Sequence, residues 1–150
     1  MTAATSAYFF GTFTPRLDEK GRLFLPAKFR PMLSQGVVLT RGQDHCVYGW
    51  TPEAFEEFST RARQASFSNK QARNFIRMLF GGAAHETPDK QGRVPVSALL
   101  RDWAALDRDC TVVGTGERFE IWDSAKWHEF SEQNEEGFAD LSEEIYPGIF

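Results

Sequence analysis

The chain has 150 residues, 41% hydrophobic and 25% charged, with 17 Lys and Arg against 21 Asp and Glu and a net charge of −4. Such a composition can bury a core as one domain or two small ones, and it excludes a disordered chain. It also excludes a membrane span, because no stretch nears the roughly 18 apolar residues required, and a disulfide scaffold, because only Cys46 and Cys110 are present and they lack CxxC spacing.

In chain order, residues 1–9 read as a flexible leader without the basic start and long apolar run of a signal peptide. An intracellular, reduced setting is expected. Residues 10–55 form a first module. Asp18-Glu19-Lys20-Gly21 is turn chemistry, with Asp bonding the backbone two residues on and Gly supplying a positive φ. Thr14–Leu17 and Arg22–Leu25 are expected as the arms of that hairpin, with Pro26 ending the second arm. Ala27–Leu33 reads as a short helical turn. Val37–Thr40 and Cys46–Trp50 read as two strands about an Arg41–Asp44 turn.

Residues 56–82 read as a helical connector. Its first helix opens on Thr51-Pro52-Glu53, an N-cap, a proline at the first helical position and an acid in the first turn. Phe55, Phe58 and Ala62 then share a face. Ser68-x-x-Gln71 is a capping box, followed by the stripe Ala72, Phe75, Ile76 and Leu79 and the stop Gly81-Gly82. Residues 83–127 form a second module, whose closing hairpin turns at Thr115–Arg118. Residues 128–150 are a C-terminal helix and acidic tail. Asp123 or Ser124 caps that helix, Trp127 and Phe130 lie on it, and fraying is expected from Glu132 onward.

The two modules are copies. DEKGRLFLPAKFR (18–30) and DKQGRVPVSALLR (89–101) share five identities in thirteen positions at an offset of 71, against roughly one by chance. At an offset of 72, Trp50 falls on Trp122 and Phe55 on Trp127. Two modules about a pseudo-two-fold axis follow. Charge is graded along the chain. Residues 1–101 carry 14 basic and 8 acidic side chains, and residues 102–150 carry 3 and 13. A basic surface beside an acidic end is one reading of that gradient; two ordinary solvated faces are the other.

The repeated Asp-x-x-Gly-Arg motif carries the candidate chemistry. A guanidinium on a rigid hairpin suits bidentate bonds to phosphate or to guanine. The candidates are Arg16, Lys20, Arg22 and Lys28 in the first copy and Lys90 and Arg93 in the second. Asp18, Gly21, Arg30, Asp89, Gly92 and Arg101 are the architecture of the motif. Two alternatives stand beside this reading: Asp and Arg pairing across the turn, and Arg30 and Arg101 bonding the helix's own hairpin, for example Asp18 or Asp89. His45, His85 and His128 lack ligand spacing, so no metal is expected. GxGxxG and GxxxxGK[ST] are absent. Neither a cofactor nor a small-molecule substrate is expected. A thiol hydrolase using Cys46 or Cys110 is a rival without a local signature; a buried small hydrophobe is the simpler role.

At the duplicated D-x-x-G-R element the chain resembles the MraZ family. The resemblance runs from Phe10-Gly11 through LDEKGRLFLPAKFR, CVYGW and FIRMLFGGAAHETPDKQGRVPVSALLR to FEIWDSAKW. It implies an α+β, mainly β fold: a duplicated swapped-hairpin unit, AbrB/SpoVT-like, forming a double-split β-barrel with peripheral helices. It implies a non-enzymatic transcriptional regulator whose partners are double-stranded DNA and itself, as a ring-shaped homo-oligomer. The expected target is short direct repeats upstream of the bacterial division and cell-wall gene cluster, including its own promoter, and the expected location is cytoplasmic and nucleoid-associated. The family's DNA-reading hairpin maps onto Lys20 and Arg22, with Arg93 as the matching arginine. An AbrB-like protein-interaction module of antitoxin type is the alternative. The chain departs from the pattern at Ser97, in the place of Pro26, and at Pro95, which suggests an edge or bulge and points to a second module devoted more to assembly.

Overall fold

The computed structural model describes residues 8–141, and in them strands of the two repeats pair with one another. The first repeat contributes β1 (Thr12–Phe13), β2 (Arg22–Phe24), β3 (Val37–Arg41) and β4 (Val47–Trp50). The second contributes β5 (Ala84–Glu86), β6 (Arg93–Pro95), β7 (Cys110–Gly114) and β8 (Arg118–Asp123). They form a six-stranded antiparallel sheet in the order β1-β7-β8-β4-β3-β5 and a two-stranded ribbon, β2-β6. Among these strands only β3–β4 and β7–β8 pair within one repeat; every other strand pairing crosses from one repeat to the other.

Register makes the pseudo-symmetry explicit. Leu23 lies opposite Val94, and Tyr48 lies opposite Glu120. These pairs are repeat counterparts at the offsets of 71 and 72, so a pseudo-two-fold axis passes through both. Strand alternation then sorts the core into two layers. Leu23, Val37, Leu39, Val47, Val94, Val112, Phe119 and Ile121 point inward with Phe9 and Phe29. Val38, Cys46, Tyr48, Trp50 and Trp122 point outward beneath Phe55, Phe58 and Trp127. The aromatic pairs Trp50–Phe58 and Trp122–Trp127 join helix to sheet at 4.9 and 5.5 Å between ring centroids.

The helices begin where local chemistry places them. In α1 (Pro52–Ala65), Thr51 accepts from the Ala54 N–H at 3.0 Å. In α4 (Ser124–Ala139), the cap is Asp123. In α3 (Ala98–Trp103), Ser97 accepts from the Leu100 N–H, whereas the first repeat, with Pro26 at this place, makes only a 3-10 turn over Arg30–Leu33. A hydroxyl cap satisfies one of the open N–H groups of a helix start, which a proline side chain cannot do.

Several expectations are corrected. Thr14–Leu17 is not the partner arm of Arg22–Leu25. Only Leu17 meets Leu23; Arg16 bridges to Asp109, and Leu17 N–H donates to Arg108 O. Asn69, not Ser68, caps α2 (Lys70–Gly81), by accepting from the Ala72 N–H at 3.1 Å. The turn after β3 sits at Gln43–His45, starting two residues and ending one residue later than expected. Phe9, assigned to the leader, is fully buried and exchanges two backbone bonds with Gly116. Helix α4 continues past Glu132 to Ala139. The remaining leader, residues 1–7, and the tail, residues 142–150, lie outside the described residues. Among the described residues no helix is long and apolar enough to cross a membrane.

Candidate nucleic-acid interface

Each motif turn is built by its aspartate. Asp18 Oδ1 accepts the N–H of Lys20 and of Arg22, both at 2.9 Å, and Oδ2 accepts Arg22 Nε at 2.8 Å. Asp89 does the same with Gln91 and Arg93, with the same three distances. The Arg22 and Arg93 backbone N–H bonds, helped by the guanidinium bonds, hold both carboxyls below the usual carboxylate value. Asp and Arg therefore do pair across the turn. The pairing uses Nε, and among the described residues no protein hydrogen bond reaches the Arg22 Nη atoms. The aspartate thus orients the guanidinium and leaves its distal edge available.

Arg30 and Arg101 bond their own hairpin, as one of the two readings has it, but at a backbone carbonyl and not at Asp18 or Asp89. Arg30 Nε donates to Leu25 O at 3.2 Å, and Arg101 Nη1 donates to Val96 O at 2.9 Å. Each lies against the turn glycine of the other repeat: Arg30 on Gly92, and Arg101 on Gly21. A Cβ on either glycine would overlap the guanidinium, and both glycines have positive φ, +75° and +79°. The ribbon pairing explains the crossing. Leu25 N–H donates to Gly92 O and Val96 N–H to Gly21 O, which brings the turn of one repeat beneath the helix of the other.

Those same two bonds fix which ribbon residues face outward. They place Arg22–Pro95 and Phe24–Arg93 as the non-hydrogen-bonded pairs on either side of Leu23–Val94. Pro95 therefore sacrifices no ladder bond, as its edge position requires. Leu23 and Val94 are fully buried. Arg22 and Arg93, with side chains 30% and 22% exposed, share the opposite face with Phe24 and Pro95.

The two arginines are not equivalent. Arg93 also reaches Asp18, with Nη1 at 3.9 Å from Oδ2, and its guanidinium sits 5.8 Å from the Phe24 ring. Lys20 and Lys90 are exposed on the two turns at different places, since Lys20 corresponds to Gln91 and Lys90 to Glu19. Lys28 is exposed on the turn after Pro26, off both ribbon strands. Arg16 is spoken for: its Nε pairs with Asp109 Oδ1 at 3.0 Å, an exposed pair of small energetic weight.

Three residues of note were not singled out from sequence. Phe24 is an exposed aromatic on the ribbon face. Arg118 stacks on Tyr48 and Trp50, 4.2 and 5.1 Å from the ring centroids, and Arg41 donates to Met78 O at 2.9 Å from β3 to the end of α2. The strand pattern could have marked Phe24, since alternation puts it on the face of Arg22. The other two depend on partners far along the chain. Both cysteines are buried, and burial raises their thiols, Cys110 to about 12, which opposes thiolate chemistry at neutral pH. Among the described residues no group of three His, Cys, Asp or Glu is placed to hold a metal ion.

Comparison with known proteins agrees with the duplicated architecture. The family described as "MraZ protein, putative antitoxin-like" matches the chain twice, over residues 8–78 and 79–146. The protein named Transcriptional regulator MraZ of Clavibacter michiganensis subsp. michiganensis is 54% identical over 142 residues, covering 95% of this chain and 99% of its own. Proteins of the same name from Micrococcus luteus and Thermobifida fusca are 52% and 46% identical, over 95% and 94% of this chain and 99% of theirs.

Proposed function

The chain belongs to the MraZ family, and from that premise and the geometry of the β2–β6 ribbon we propose that it is a sequence-specific DNA-binding transcription regulator without enzymatic activity. The observation that carries the reading is the outward ribbon face. It holds one arginine from each repeat, each anchored through Nε to its own aspartate. The B-DNA major groove, about 12 Å wide, admits a two-stranded β-ribbon, and arginine reads guanine O6 and N7 there. Anchoring reduces the side-chain freedom lost on binding.

In this reading the exchanged pairing is the duplicated swapped-hairpin barrel. Arg22 is the principal base reader and Arg93, more tightly held, the second. Lys20, Lys90 and Lys28 contribute phosphate contacts that position the ribbon without specifying sequence, and Arg16, paired with Asp109 through Nε, does so with its remaining guanidinium N–H groups. The protein acts in the cytoplasm at the nucleoid, as a ring of identical subunits on short direct repeats. These lie upstream of the division and cell-wall gene cluster and include its own promoter. Linked sites raise the effective concentration of each successive contact, so modest single contacts sum to tight binding. The net charge of −4 does not oppose this, because the acidic excess lies after Arg101.

Arg22→Ala tests the assignment. It should weaken specific binding by about 1–3 kcal/mol per engaged site in a gel shift at physiological salt. Undiminished affinity would sink the assignment of Arg22. The antitoxin-like description of the family supports one second reading, an oligomeric protein-interaction module with DNA secondary. Salt separates the two. A DNA reader loses affinity steeply as salt rises, by counterion release, and a module without a phosphate interface does not.

A further inference from the structure

The ribbon face breaks its own pseudo-symmetry at one place. The axis through Leu23 and Val94 exchanges Arg22 with Arg93, but it exchanges Phe24 with Pro95. Phe24 remains 41% exposed on the face it shares with Arg22, Arg93 and Pro95. The inward residues Leu23 and Leu25 already fill the core on either side of it, at 0% and 1% exposure. Phe24 is therefore not required for burial. It is also not loose: it stands in a non-hydrogen-bonded pair opposite Arg93, where cross-strand side chains come closest, and the Arg93 guanidinium lies 5.8 Å from its ring.

We propose that Phe24 is a specificity-determining residue that packs on the C5 methyl of a thymine beside the base edge faced by Arg93. The inference rests on the DNA-binding reading above. Among the base edges of the major groove only thymine presents an apolar group, so an exposed aromatic held beside the Arg93 guanidinium has one complementary partner there. The Arg22–Pro95 end of the ribbon has no aromatic and makes no such contact. The ribbon is thereby polar along the DNA: one half of each site requires thymine, and the other does not. Insertion of the ring between base pairs belongs to minor-groove binders that kink the duplex, and the flanking arginines are arranged for groove edges instead.

The test uses DNA amplified from the region directly preceding the protein's own coding sequence, once with dTTP and once with dUTP. The second product, made with primers that carry uracil in place of thymine, lacks every thymine methyl. Full-length wild-type protein should bind the thymine duplex about fourfold more tightly per engaged protomer in a gel shift, the factor for one buried methyl-sized group. Phe24→Ala should bind both duplexes equally, and Phe24→Leu, which keeps an apolar side chain, should retain part of the preference. Methyl loss also alters DNA shape, but that change acts on Phe24→Ala as well and cancels in the comparison. The proposal is overturned if Phe24→Ala keeps the wild-type preference, or if wild type binds both duplexes alike while Arg22→Ala still loses affinity. If wild type binds the thymine duplex no better than a random duplex, both the proposal and the DNA-binding reading fail.

Discussion

Gly21→Ala is the substitution whose cost the structure dictates most directly. Gly21 has φ +75°, and an added Cβ would overlap Arg101 Nη1. The left-handed backbone alone costs an alanine about 1–2 kcal/mol. Arg101 must also move, which breaks its 2.9 Å bond to Val96 O. Losing a bond from a charged donor costs about 1.5–3 kcal/mol, with the lower part of that range apt for a half-buried arginine. The total is about 2.5–4 kcal/mol. The two contributions separate in a double-mutant cycle. In an Arg101→Ala background the overlap is gone, so Gly21→Ala should cost only the backbone part, about 1–2 kcal/mol. Urea unfolding at fixed protein concentration, followed by the fluorescence of the buried Trp50 and Trp122, supplies the free energies. Strict additivity of the two substitutions would refute the idea that Arg101 of one repeat closes on the turn of the other.

Two further outcomes follow from the titrating groups. The Asp18 and Asp89 carboxyls are held below the usual value of 3.8 by the Arg22 and Arg93 backbone N–H bonds, so their stabilisation is complete above that pH and is lost as pH falls through the lower native value. The gap in Tm between wild type and Asp18→Asn should hold steady above about pH 5 and shrink below 3.8; a gap unchanged down to about pH 2 would contradict the linkage. Native protein at pH 8 should resist iodoacetamide, because burial raises both thiols, whereas in urea both should react; rapid labelling of the folded protein would place Cys46 or Cys110 outside the core.

Much of the fold was legible because its signals are local. Thr51 and Asp123 are caps read from side chains and their spacing. The hairpins β3–β4 and β7–β8 join neighbouring apolar runs, and the Asp-x-x-Gly turns follow from two residue types. What stayed hidden is partner choice. Alternation in Arg22–Leu25 tells which side chains face inward, but it does not say whether the neighbouring strand is Thr14–Leu17 or Arg93–Pro95. The same gap hid the packing of Arg30 and Arg101, whose hydrogen bonds stay within their own repeat but whose guanidinia lie against the turn glycine of the other. Ser68 lost to Asn69 because the two cap types are nearly equal in strength and adjacent, and end positions shift by a residue at little cost. At the interface, the Asp–Arg motif was visible while the exposure of Phe24 was not, since exposure depends on what the second repeat leaves uncovered.

The pairing of strands across the two repeats also sets a timetable for synthesis. When residue 82 is made, β3 and β4 can pair, but β1 and β2 have no partner, because theirs are β7 and β6. Leu23 waits for Val94, 71 residues behind it. At about 5–20 residues per second that wait lasts roughly 4–14 s. Over that interval the nascent chain carries two unpaired edges and the inward faces of Leu23 and Leu25. Helices α1 and α2 are the segments produced meanwhile, and they have only the outer side of β3–β4 to settle on. Closure of the interior belongs to the last third of translation, and a ribosome that stops early releases a chain with its sheet edges open.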